Sequence, residues 1–103
     1  DFLIVWEDYR NDHQYDIYGA RVDATGSILD PDGFAVCGEG ANQWNPDVAF
    51  DGTNYLVVYQ DTRINGLNDI YAARVAPDAT VLDPSGVVVS ASHLTTGVAI
   101  CVV

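Results

Sequence analysis

A chain of 103 residues that is 49% hydrophobic has enough apolar material for a core, and none of its apolar runs approaches the roughly 20 residues of a transmembrane helix. Fifteen acidic residues, 13 of them Asp, stand against 4 basic ones, for a net charge of −11. A surface of that sign repels phosphate backbones and anionic lipid, which argues against binding nucleic acid or a membrane surface, as the short apolar runs argue against membrane insertion, and leaves solubility or attraction of divalent cations.

The chain opens inside a strand pattern at Phe2–Glu7, with no initiator Met and no basic-then-apolar leader, so a start farther upstream is expected. Phe2, Ile4 and Trp6 point one way; Leu3 and Val5 point the other. Both faces are apolar, and such a sheet needs cover on both sides. Ile17–Val22 and Phe34–Cys37 are the next predicted strands. Val48-Ala49-Phe50 follows, joined through Asp51-Gly52 to Tyr55–Gln60, then Ile70–Val75 and Val87–Ser90. Turn-forming residues separate them: Asn11-Asp12, Asp30-Pro31-Asp32-Gly33, Asn65-Gly66 and Asp83-Pro84-Ser85-Gly86. No segment carries a helical period, so the fold class is all-β.

Shifted by 53 positions, the chain falls on itself without a gap. Trp6-Glu7-Asp8-Tyr9-Arg10 meets Tyr59-Gln60-Asp61-Thr62-Arg63, and Asp16-Ile17-Tyr18-Gly19-Ala20-Arg21-Val22 meets Asp69-Ile70-Tyr71-Ala72-Ala73-Arg74-Val75. Repeats of this length built from strands and turns point to propellers or arrays. The pattern resembles the TolB-type propeller repeats of exported bacterial proteins. That resemblance implies blades of four antiparallel strands, an extracellular or periplasmic location, and a scaffolding or binding role. It departs from the family in number, since two repeats cannot close a ring of typically four to eight blades.

The expected organisation is therefore two four-stranded antiparallel propeller-like blades. Residues 1–45 form the first, lacking its opening strand, and 46–96 the second. Residues 97–103 are a further strand, in which Val98-Ala99-Ile100 echoes Val48-Ala49-Phe50. With Cys101 and Val102 they would complete a blade of a neighbouring repeat or copy, because open edges recruit strands.

Residues that could carry chemistry are mostly repeated. Arg10, Arg21, Arg63 and Arg74 form two equivalent pairs, expected to bridge Asp8 and Asp16, or Asp61 and Asp69, within each blade; the other reading is an anion site. Asp8, Asp12 and Asp16 could offer oxygens to Ca²⁺, yet they match no EF-hand spacing, and Asp is what turns use. His13 and His93 read as loop residues, and no serine sits in a nucleophile elbow. Trp44, in the polar connector 42–46, is the candidate for stacking on a glycan or peptide. Cys37 and Cys101 are either one disulfide or two buried thiols. The expected function is a non-enzymatic scaffold, without cofactor, that assembles by exchange of residues 97–103 into a filament or ring. The alternative is a ligand-binding propeller fragment, and a propeller-type hydrolase stands behind both.

Overall fold

The computed structural model describes residues 1–11 and 13–94. They form seven strands and no helix: β1 (Phe2–Asp8), β2 (Asp16–Val22), β3 (Phe34–Cys37), β4 (Gln43–Phe50), β5 (Tyr55–Asp61), β6 (Asn68–Val75) and β7 (Val87–Leu94). Two antiparallel sheets result, one in the order β1-β2-β3 and one in the order β4-β5-β6-β7, and neither closes on itself. The strands hold the β-branched and aromatic residues that fit a pleated surface. The turns hold Asp and Gly. Asp23 Oδ1, for example, accepts from the backbone N–H of Thr25 and of Ser27, and Asp51 Oδ1 does the same for Thr53 and Asn54.

The registers of the two central hairpins coincide. In β1–β2, Phe2 faces Val22 and Asp8 faces Asp16; in β5–β6, Tyr55 faces Val75 and Asp61 faces Asp69. Each of these residues lies 53 positions from its counterpart. Asp30-Pro31-Asp32-Gly33 and Asp83-Pro84-Ser85-Gly86 make equivalent turns, closed by the N–H of Gly33 to Asp30 and of Gly86 to Asp83.

Facing partners in an antiparallel ladder share a side of the sheet. In the first sheet, Leu3, Ile17, Val36 and Cys37 are buried together; in the second, Tyr55, Val57, Tyr59, Tyr71, Ala73 and Val75 are. The ten form one cluster, so the sheets stack face to face with the core between them. The shortest dimension, 21 Å, is that of two sheets about 10 Å apart with side chains on their outer faces. Fully buried side chains such as Ile17 and Val57 each contribute on the order of 1.5–3 kcal/mol.

β4 differs most from expectation. It begins at Gln43, inside the stretch read as a polar connector, and a bulge lies between Trp44 and Asp47. Asn45 has φ of 52° there, and the bulge takes Pro46, which has no N–H, out of the ladder. The expected boundary between residues 45 and 46 thus falls within one strand. Gln43 is buried; its backbone N–H donates to Tyr15 O and its side-chain amide to Ala41 O, which ties β4 to the first sheet. β7 also runs farther than Ser90, to Leu94.

Candidate functional site: paired arginine forks, an aromatic corner and an open sheet edge

All four arginines are forked onto aspartates. Arg10 donates from Nε and Nη2 to the two Asp8 oxygens at 2.8 and 2.9 Å, and from Nη1 to Asp32 O at 2.8 Å. Arg63 repeats this with Asp61 at 2.9 and 2.7 Å and Ser85 O at 2.7 Å. Each guanidinium also lies over a tyrosine ring, Arg10 4.0 Å from the centre of Tyr18 and Arg63 4.1 Å from that of Tyr71. One side chain therefore joins a strand end, the neighbouring strand and the Asp-Pro-x-Gly turn. Charge-assisted forks of this kind are the strong class of hydrogen bond. Arg10 holds the Asp8 carboxyl far below the usual carboxylate range.

The second pair of arginines takes other partners than those expected. Arg21 forks onto Asp30 at 2.9 and 3.0 Å, and Arg74 onto Asp83 at 2.9 and 3.1 Å. Asp30 and Asp83 read in sequence as turn formers, and their nine-residue separation from the arginines hid the pairing. Each arginine lowers its partner's pKa. The buried Asp16 carboxylate is held instead by the amides of Asn11 and Gln14.

These bonds bear on the calcium reading. Both Asp8 oxygens already face the Arg10 guanidinium, and Trp6 Nε1 donates to one of them at 2.9 Å. Asp12 lies outside the described residues. Among the described residues no group of three or more His, Cys, Asp or Glu side chains is placed to hold a metal ion.

Trp44 is half-buried, and its Nε1 donates to Asn68 Oδ1 at 3.1 Å. Its ring centre is 6.1 Å from that of Tyr15, which meets Tyr9 edge-on at 4.8 Å. Tyr9 and Tyr15 are exposed. The corner thus joins three aromatics that lack aromatic counterparts in the other copy, brought together from the end of β1, the start of β2 and β4.

Cys37 is a buried thiol at the seam between the sheets. Its Sγ is 3.7 Å from Arg63 Nη2, and burial pushes its pKa up. Cys101 lies outside the described residues, as do Val98, Ala99, Ile100 and Val102.

Among the described residues β1 is the edge of its sheet, with β2 as its ladder partner, whereas its counterpart β5 is flanked by β4. Beside that edge is a cleft of about 300 Å³ between β1 and β4, lined by Phe2, Ile4, Val48, Ala49, Phe50 and Tyr55 among others. The outer faces of both sheets are also apolar in part: Phe2 and Ile4 are exposed on one side, Leu56, Val87 and Val89 on the second sheet. Compared with known proteins, the chain matches no family model, no curated protein and no solved structure.

Proposed function

We propose that this chain is a non-enzymatic, extracellular scaffold of propeller-type β-repeats that assembles with copies of itself by strand donation. Residues 97–103 of one copy add to the β1 edge of the next. The observation that carries the reading is the β1 edge itself, with an apolar cleft beside it where β5 has β4. Unpaired edges recruit strands. Val98-Ala99-Ile100 resembles Val48-Ala49-Phe50, the strand that covers β5. Engagement of every arginine in a structural fork supports a scaffold over an enzyme, and the resemblance to TolB-type repeats supports an exported one. Deleting residues 97–103 is expected to reduce the assembled species, read by light scattering and negative-stain microscopy, to single shortened chains, each lighter than the 11.1 kDa of the full one. Assembly unchanged by the deletion rejects strand donation.

A second reading rests on the aromatic corner. Exposed rings flanked by amides and carboxylates can stack on sugars, and Tyr9, Tyr15 and Trp44 stand with Asn42, Asn45 and Asn68 around them. If the chain binds a glycan there, Trp44→Ala and Tyr9→Ala each weaken binding at least tenfold on a glycan array and in calorimetry. Binding that survives both substitutions places the ligand elsewhere.

A further inference from the structure

The two sheets bury opposite faces of equivalent strands. Leu3 is 6% exposed and Val36 1%, while their counterparts in the second sheet, Leu56 and Val89, are 40% and 62% exposed. The reverse holds on the other side. Tyr55 is 8% exposed and Val57 0%, while their counterparts in the first sheet, Phe2 and Ile4, are 62% and 50% exposed. The two faces that meet inside the molecule therefore recur, one on each of its outer sides. The two ends of the polar contact across the interior recur with them, but apart. Arg21 Nη1 donates across the sheets to Pro77 O at 3.2 Å. Its counterpart Arg74 holds Asp83 through Nε and Nη2, and its Nη1 meets no acceptor among the described residues. The counterpart of Pro77 is Ala24, in the turn after β2.

We propose that the outer face of β5-β6-β7 in one copy packs on the outer face of β1-β2 in a second copy, repeating between chains the step that joins the two sheets within one. Leu56 and Val89 of one chain cover Ile4 and Phe2 of the next, and Arg74 reaches the carbonyl of Ala24. The contact uses two different faces, so it is head-to-tail and leaves one of each kind open after every addition. A two-fold dimer would instead place a face on itself, which the interior nowhere does. The inference rests on the self-assembly reading above but not on strand donation, so the two can fail separately.

Ile4→Asp and Val89→Asp test it, because each charges one exposed position and leaves the other face intact. Unchanged circular dichroism checks the fold of both, and Phe2→Ser with Val87→Ser serves as a milder pair should an Asp unfold the chain. In sedimentation velocity the unaltered chain is expected to form species above 11.1 kDa that grow with concentration. Each variant alone stays at that mass. Mixed in equal amounts, they form a species of twice the mass and none larger, because the one good pair of faces is used once. Association of either variant alone shows symmetric pairing and overturns the proposal. So does a mixture that remains monomeric, or an unaltered chain that is monomeric throughout. Deleting residues 97–103 separates the two ideas. Assembly that survives the deletion and is lost in Val89→Asp supports the faces and rejects strand donation. Assembly lost on deletion and kept in both face variants rejects the faces and retains strand donation.

Discussion

Gly86→Ala is expected to cost about 3 kcal/mol, as the sum of a left-handed backbone forced on a non-glycine residue and overpacking of a full core. Gly86 has φ of 76°, and a Cβ there would collide with the Tyr59 hydroxyl and come within 3.2 Å of Tyr71 Cδ2. Neither ring has room to withdraw. Tyr59 is 0% exposed, its hydroxyl faces the Cys37 thiol, a weak partner, and it stacks on Tyr71 at 6.3 Å. Gly66 is the control: φ is 71° and nothing lies within 4 Å, so Gly66→Ala carries the backbone cost alone, about 1 kcal/mol. Tyr59→Phe removes a buried hydroxyl whose partner is a weakly bonding thiol, is expected to be close to neutral, and returns part of the Gly86→Ala loss when the two are combined. Urea unfolding of the four variants decides it. Equal losses at Gly86 and Gly66 would show that the ring contact contributes nothing.

Asp61→Ala is expected to cost about 3 kcal/mol, the low end for removing one partner of a buried ion pair. The Asp61 side chain is 0% exposed and accepts three hydrogen bonds from Arg63, two from the guanidinium and one from the backbone at 2.8 Å. Arg63 is 23% exposed and can reach water, which keeps the loss from being larger. Asp8→Ala removes the same fork where the arginine is 43% exposed, and a distinctly smaller loss is expected because solvent screens that pair. Chemical denaturation of both variants gives the comparison. Equal losses would mean that burial does not set the strength of these forks.

The strands and turns were legible in the sequence because they rest on local chemistry. Short two-sided apolar runs bounded by turn residues, such as Phe2–Glu7, read as strands that need cover, and Asp-Pro-x-Gly reads as a turn. The antiparallel hairpins follow from those two facts. Three features were not legible. The first half of β4 is polar, and it is a strand because Gln43 finds Tyr15 O and Ala41 O on its neighbours, which no periodicity reports. Asp30 and Asp83 are turn residues by sequence and also the arginine acceptors, a double role that sequence spacing conceals. The Tyr9–Tyr15–Trp44 corner is assembled from three separated segments, so its parts were visible as unrepeated aromatics while their meeting was not.

Four forks tie up four positive charges, and the excess of −11 is left on a chain whose outer faces are partly apolar. Those two properties oppose each other at different ranges. Apolar attraction acts only at contact, whereas like-charge repulsion reaches about 8 Å in physiological salt and about 30 Å at a tenth of a decimolar salt concentration. Two chains therefore meet a charge barrier before their faces touch. For the assembly proposed above, ionic strength would then set how often collisions are productive, with the acidic excess acting as a colloidal brake on the apolar faces.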